Sequence, residues 1–151
     1  MSNIYSSILA GVKARLDSTS GLPTVVIRKQ LAYLETDSIP LIIVAPLESE
    51  AIGMEYFGRI CYAYSVGVAL IEAGNREFES GMDSSLDVRE QLRNSLVELF
   101  LPGVPEVWNT DVTPGRAIYF PASGNATNYQ TSSFNVRYKT DEARPGYPVV
   151  A

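Results

Sequence analysis

The feature that most constrains the fold is an uncharged run, CYAYSVGVALI, at positions 61–71. In a β-strand successive side chains point to opposite faces, so every second residue of the run shares a face. One face carries bulky side chains, namely Tyr62, Tyr64, Val66, Val68 and Leu70. The other face carries small ones, namely Cys61, Ala63, Ser65, Gly67 and Ala69. Each face therefore needs a cover, either from within the chain or from a partner.

Two segments have the period of amphipathic helices. In the first, apolar residues recur every four positions, and the helix is expected to end within residues 17–21. This stripe consists of Ile4, Ile8, Val12 and Leu16. In the second, Ser84 and Asp87 resemble a capping box at the start, and Pro102 and Gly103 end the helix. Its apolar face consists of Met82, Leu86, Leu92, Leu96, Leu99 and Phe100.

The first half of the chain contains three predicted strands. The segment 24–31, TVVIRKQL, is rich in β-branched residues, which favour strands. The segment 41–46, LIIVAP, is a continuous apolar run between two prolines, as in a buried strand. The long strand begins near Arg59. We interpret the intervening segment 47–58 as a hairpin connection that projects from the body, and a loop folded back over the core is the alternative.

The last third of the chain is also β-like. Two short strands, EVWNTDV and RAIYFPA, are predicted on either side of a turn at TPG. In the following SSFNVRYKT segment, Phe134, Val136 and Tyr138 alternate with polar residues, so this strand has one apolar face. The remaining residues, 141–151, contain two prolines and no period, and we expect them to form a flexible C-terminal tail.

This order of elements predicts an α+β fold, in which a single mainly antiparallel sheet has two helices packed on one face. The predicted domain spans residues 1–140, followed by the tail. We expect the helices to lie on the small face of the long strand, because little side-chain volume separates the backbones there. The bulky face would then point outward and need a terminal hairpin or another subunit as its cover.

The sequence offers little material for catalysis. It contains no histidine, which removes the commonest general base and most zinc sites. Neither a P-loop nor a dinucleotide-binding glycine turn is present, and the paired carboxylates lack the spacing of a calcium loop. The single cysteine, Cys61, is expected to be a buried small hydrophobe. No catalytic residue, metal site or cofactor is therefore predicted, and the protein is not expected to be an enzyme.

The net charge and the hydropathy of the sequence limit the classes of partner that we expect for this protein. The net charge of −5 and the pI near 4.7 oppose non-specific binding to nucleic acid, which needs clustered basic residues. The strand aromatics could stack on single-stranded bases, but the scarcity of basic residues favours packing within the sheet. No apolar run has the length of a membrane span and no signal core is evident, so an intracellular protein is expected.

Three segments and the order of elements around them carry a family resemblance: GLPTVVIRK, SIPLIIVAPLESE and SSFNVRYKTDE. With them the chain resembles the tail terminator and tail-completion proteins of tailed bacteriophages, a group that includes the neck proteins of the head-to-tail joint. The resemblance extends from Ile4 to about Glu142. It implies a virion protein, assembled in the host cytoplasm, that forms a homo-oligomeric, hexameric ring without catalysis.

The resemblance also implies partners. Such a ring caps the tail tube protein and docks on the neck or connector protein of the DNA-filled head, while DNA passes through the lumen without specific binding and no membrane is involved. The negative net charge suggests an acidic lumen that does not hold DNA. Two alternatives stay open, namely a neck or head-closure protein, and a non-viral monomeric binding domain.

Closing a ring through heterologous contacts requires two different complementary patches on each subunit. We expect the first patch to combine the tyrosines of the long strand with apolar residues of the loop before it. These candidates are Ile52, Met54, Tyr56, Phe57, Tyr62 and Tyr64. The second patch is expected in the last strand or the tail, with Tyr147 as its candidate residue. Alternatively, these side chains complete the core of the monomer.

Overall fold

The structure is a computed structural model, which describes residues 3–31, 40–51, 59–73, 82–97, 101–105, 107–120 and 129–143. These residues form the following helices and strands: α1 Ile4–Asp17, β1 Thr24–Ile27, β2 Leu41–Ala51, β3 Arg59–Ala73, α2 Met82–Leu96, β4 Val107–Phe120 and β5 Tyr129–Ala143. The strands form one sheet in the order β1-β2-β3-β5-β4. Since β1 and β2 are parallel and the other neighbours antiparallel, the predicted α+β fold with a mainly antiparallel sheet is confirmed.

Helix α1 has the predicted start, end and apolar stripe. Asn3 caps it, because the Asn3 side chain accepts a hydrogen bond of 2.8 Å from the backbone N–H of Ser6. Ile8, Val12 and Leu16 are buried under the helix. The stripe lies over β1 and β2.

Helix α2 lies over β4 and β5, and its apolar face is narrower than predicted. Leu92 and Leu96 are buried in the core, whereas Leu86 is 45% exposed. Six residues separate Leu86 from Leu92, which turns the helix by about 240° and places Leu86 away from the sheet. The helix ends at Leu96, and residues 97, 101 and 102 are not helical. The prediction that Pro102 and Gly103 end this helix is therefore wrong. Residues 98–100 and the side chains of residues 82–85 lie outside the described part.

The segment after α2 packs closely against α1. A Cβ atom at Gly11 would lie 2.7 Å from the carbonyl oxygen of Pro102 and 2.8 Å from Cγ of Leu101. Gly103 turns the chain with a φ of 76°, a conformation that glycine adopts without steric cost. Pro102 and Gly103 thus direct the chain from α2 towards β4, with α1 as the surface against which the turn rests.

Strand β2 is longer than predicted. It continues through a bulge at Leu47 to Ala51, so the interpretation of residues 47–51 as part of a loop is wrong. β1 ends at Ile27, four residues before the predicted end of this strand, and pairs only with residues 41–44. Beyond that point β2 is an edge of the described sheet, where Pro46 costs no hydrogen bond to an outer neighbour. Residues 52–58 lie outside the described part.

Strands β4 and β5 also differ in length from the prediction. β4 is one strand rather than two, because the TPG segment forms a register shift between Pro114 and Ala117 and not a turn. An edge strand tolerates this proline because its outer side has no ladder. β5 has the predicted one-sided pattern, with Phe134, Val136 and Tyr138 buried. It ends at Ala143, and residues 144–151 lie outside the described part.

The long strand β3 is oriented opposite to the prediction. Its bulky side chains face the helices, where Tyr64, Val66 and Val68 share one core with Ile8 and Leu92. The prediction that the small face meets the helices is therefore wrong. The physical reason is that large side chains fill the space between sheet and helices and remove more apolar area from water than alanines would.

The small face of β3 is also sheltered within the chain. Ala63 is 1% exposed, and Ala69 is buried beside a second, smaller cluster of Leu41, Ile43 and Ile71. Gly67 lies directly beneath two leucines, Leu31 and Leu47. A Cβ atom there would come within 2.6 Å of one leucine and 3.2 Å of the other. Cys61 and Ser65 on this face are half-buried. Because most of both faces is covered within the single chain, the prediction that this strand requires an external cover is wrong.

Candidate assembly surface

Two of the seven predicted interface residues lie in the described part of the chain. Tyr62 and Tyr64 sit on the helix side of β3, with ring centroids 6.2 Å apart. Tyr62 is half-buried, whereas Tyr64 is only 8% exposed and belongs to the core of the single chain. Of these two, Tyr62 is the one with surface to offer a partner. The other candidates lie outside the described residues: Ile52, Met54, Tyr56, Phe57 and Tyr147.

A hydrogen-bond cluster surrounds Tyr64 at this end of the sheet. The Tyr64 hydroxyl donates to Oε2 of Glu142 at 2.7 Å, and the hydroxyl of Thr140 donates to the same oxygen at 2.6 Å. Burial raises the pKa of Tyr64 above its usual value, and the hydrogen bond to Glu142 and the charge of this carboxylate raise it further. Tyr64 is therefore a neutral donor that joins β3 to the end of β5.

Tyr5 extends this cluster to α1. Its ring packs edge-on against Tyr64, with centroids 5.1 Å apart. Its hydroxyl accepts a hydrogen bond of 3.0 Å from the backbone N–H of Leu47, at the bulge of β2. The sequence pattern placed Tyr5 on a helix and Leu47 in a loop, so it contained no signal for this contact.

The described part of the chain exposes a small number of large apolar side chains. They are Ile27, Leu31, Leu47, Leu86, Val97 and Trp108. Trp108 is the most exposed of them, at 55%. It occupies a register shift in β4 between Val107 and Asn109, which takes it out of the alternation of the strand. Tryptophan is enriched among the residues that dominate protein interfaces, so Trp108 joins the candidate interface residues.

The described sheet has two edges of different character. One edge is β4, which pairs with β5 on its inner side. The opposite edge is β1 together with the part of β2 that extends past β1. β5 lies between β3 and β4, so its backbone is paired on both sides up to Thr140, whereas residues 141–143 pair with β3 and have no partner on β4 within the described part of the chain. A second patch on residues 129–140 of β5 would thus use side chains and not a free strand edge.

Charged side chains on the sheet and α2 form ordinary surface pairs. Lys139 lies 3.4 Å from Asp111 across β5 and β4, and Arg93 lies 3.3 Å from Glu90 on α2. Exposed pairs of this kind contribute at most about 1 kcal/mol to stability. Arg89 reaches inward from α2, where it donates to the hydroxyl of Ser132 at 2.8 Å. These contacts join β5 to β4, two residues within α2, and α2 to β5, and each ion pair combines opposite charges.

The described residues contain no cluster of three or more metal-ligating side chains. The thiol of Cys61 is half-buried on β3. In the described ranges, no helix combines the length and apolar character that crossing a bilayer requires. The described candidates for an assembly surface are Tyr62, at one end of the sheet, and Trp108, on the edge strand β4.

Comparison with solved structures finds the same fold in a virus-like particle. The chain matches a chain of the virion of a native gene transfer agent particle with a TM-score of 0.50 and 9% sequence identity. The match covers 92% of this chain and 99% of the other. No known protein family matches the sequence. No curated protein matches it either. At this identity the match establishes a shared fold.

Proposed function

We propose that the protein is a structural component of a phage-like virion and acts by binding rather than by catalysis. The observation that carries the proposal is that nearly the whole chain and nearly the whole gene transfer agent virion chain share one fold, 92% and 99% respectively. The resemblance of the sequence to proteins of the phage tail and neck points to the same class. This second argument comes from the sequence and is separate from the structural match.

Within this class we propose a tail terminator, which caps the tail tube and joins it to the neck of the DNA-filled head as a hexameric ring. The two unlike edges of the sheet support a ring, because heterologous contacts need two different surfaces on each subunit. A neck or head-closure protein is the alternative within the class. Each copy carries a net charge of −5, which favours free passage of DNA through a lumen over binding to it.

The proposed first contact patch combines Tyr62 with the loop residues Ile52, Met54, Tyr56 and Phe57. Tyr62 supports it because β3 leads directly from that loop and Tyr62 keeps part of its surface exposed. The second patch is proposed to involve the tail with Tyr147, and Trp108 adds an exposed anchor on the edge strand β4.

The mass of the purified full-length protein tests the ring. We expect a hexamer by mass photometry and ring-shaped particles in negative stain, with the protein also present in purified virions. A ring protein can require the tail end before it assembles, so the measurement includes purified tail tubes. Monomers under both conditions, together with absence from virions, would contradict the proposal.

Loss of the gene distinguishes the two stations in the virion. If the protein caps the tube, its loss should leave tubes without a stop at one length and heads without attached tails. If it closes the head instead, tails should keep a uniform length while filled heads lose their DNA. Electron microscopy of lysates measures both outcomes, and particles of normal appearance would contradict both assignments.

A further inference from the structure

Leu47 is an extra residue in the pairing of β2 with β3. Pro46 pairs with Val66 and Glu48 pairs with Ser65, so Leu47 has no partner of its own. An unpaired residue in a bulge leaves backbone groups outside the ladder and bends the strand. Backbone groups of this kind bond to water or to a side chain instead, and Leu47 itself is 47% exposed.

The hydroxyl of Tyr5 is such a side-chain partner. It accepts a hydrogen bond of 3.0 Å from the N–H of Leu47. The same hydroxyl oxygen lies within hydrogen-bond distance of two backbone carbonyl oxygens to which it can donate, those of Ser65 and Glu48, the latter at 3.2 Å. One side chain of α1 therefore contacts both strands at the position where their register shifts.

Tyr5 can accept and donate at once only while its hydroxyl is protonated. Burial raises the pKa of Tyr5, the hydrogen bond from Leu47 lowers it, and the charge of Glu48 raises it, with burial as the largest effect. The net result is a pKa above the usual value. The contact with the bulge thus persists throughout the neutral pH range.

The bulge lies between the main body of the β2–β3 ladder and a segment that we name the distal arm, which consists of residues 48–51 of β2 and 59–65 of β3. The β3 part of the arm also pairs with residues 137–143 of β5. The arm carries Tyr62, and the ring of Tyr64 at its base packs against Tyr5. Asn3 fixes the start of α1 and thereby the position of Tyr5. A chain of contacts consequently runs from the cap of α1 through Tyr5 to the base of the arm, in addition to the ladder that joins the arm to β5.

We propose that Tyr5 is a positioning residue that holds the distal arm in the direction that subunit contacts require. Bulges commonly redirect a strand, and here a side chain from outside the sheet fixes the redirected geometry. The inference about assembly rests on the proposed ring. The inference about the arm itself rests only on the contacts of Tyr5.

The variant Tyr5→Phe tests the proposal, because it keeps the ring against Tyr64 and removes the hydroxyl. Hydrogen exchange of the full chain should become roughly tenfold faster at the amide of Leu47, as expected for the loss of one hydrogen bond. Exchange in the distal arm should rise as well, while the far-ultraviolet circular dichroism stays unchanged. Ring formation should fall at least severalfold at equal protein concentration.

Ser7→Ala is the matched control, because it also removes a hydroxyl from the first turns of α1. The Ser7 hydroxyl donates to the carbonyl oxygen of Asn3 and not to the bulge. This variant should leave the exchange at Leu47 and the ring fraction unchanged. Unchanged exchange at Leu47 and in the arm of Tyr5→Phe would overturn the positioning role. Faster exchange with undiminished rings would overturn its part in assembly.

Two further outcomes separate this inference from the proposed function. If the unaltered protein forms no rings under any condition, the proposed ring fails, and the hydrogen exchange still decides whether Tyr5 holds the arm. If Tyr5→Phe fails to fold, deletion of Leu47 replaces it as the test, because this removes the bulge. The arm should then change its orientation relative to the sheet, and the fraction of protein in rings should fall. Rings that form normally without Leu47 would overturn the inference.

Discussion

Tyrosine side chains in or beside the core connect separate elements of this protein at the residue scale. Tyr5 joins α1 to β2 and β3, and Tyr64 joins β3 to Glu142 of β5. Tyr138 is almost completely buried in the core, and its burial raises the pKa of its hydroxyl. The raised pKa values of all three side chains mean that the folded chain favours their neutral, protonated forms.

This preference for neutral phenols predicts alkaline sensitivity. The pKa values of Tyr5, Tyr64 and Tyr138 are raised in the folded state, so the unfolded chain releases protons first as the pH rises above the ordinary value of 10.0. The free energy of unfolding is therefore at its full value below that pH and falls above it. Urea unfolding followed by circular dichroism between about pH 8 and 11 measures this decline.

Tyr64→Phe provides the control for this prediction. The variant loses the hydrogen bond to Glu142 and should be less stable at neutral pH, but its stability should fall less steeply in alkali because one raised pKa is gone. Comparison of the two slopes separates the tyrosine effect from the titration of lysines. Equal slopes for the variant and the original protein would contradict the assignment to Tyr64.

At the scale of elements, the burial of its leucines shows which face of α2 contacts the sheet. Leu92 is fully buried between α2 and the sheet, whereas Leu86 on the same helix is 45% exposed. The two leucines have the same chemistry and differ in environment. Their contributions to stability should differ accordingly.

Leu92→Ala should lower the free energy of unfolding by about 2–5 kcal/mol, because it removes buried methyl groups and leaves a cavity. Leu86→Ala should change it by no more than about 0.5 kcal/mol, since the side chain is largely in water and alanine favours the helix. Chemical denaturation of both variants measures the difference. Similar losses for the two would contradict the orientation of α2.

The same contrast shows how far the sequence predicts elements. Periodicity located α1, α2, the one-sided strand β5 and the α+β class, because each of these has a regular spacing of apolar residues. It failed at Leu47 and at the TPG segment, where bulges on edge strands resemble loops and turns in the sequence. Edge position comes from the pairing of distant strands, which local spacing does not contain.

The orientation of β3 could not be predicted for a related reason. Alternation divides its residues into two faces but does not say which face meets the helices. The structure resolves this through contacts such as those of Tyr64 with Tyr5 and of Gly67 with Leu31, which join residues far apart in the chain. The sequence therefore predicted outward-facing Tyr62 and Tyr64, whereas both lie on the helix side and only Tyr62 keeps part of its surface exposed. Their part in assembly stays a prediction.

At the scale of the whole molecule, burial on both faces of β3 changes the argument for self-association. Among the described residues the sheet leaves no broad apolar face uncovered, so subunit contacts would concentrate at the arm, the edges and single exposed residues such as Trp108. Interfaces of this kind depend on a few anchoring side chains. A substitution at such an anchor should abolish assembly and leave the fold intact.

The double variant Tyr56→Asp/Phe57→Asp tests the loop part of the proposed contact patch. If the loop is interfacial, light scattering should give a monomer in place of a ring while circular dichroism and thermal unfolding stay unchanged, because two charges oppose burial at a subunit contact. Leu86→Asp is the control, since it places a charge on an exposed apolar position of α2 and should leave the rings intact. Rings of unchanged mass in the double variant would exclude the loop from the contact, and loss of folding would assign Tyr56 and Phe57 to the core of the single chain.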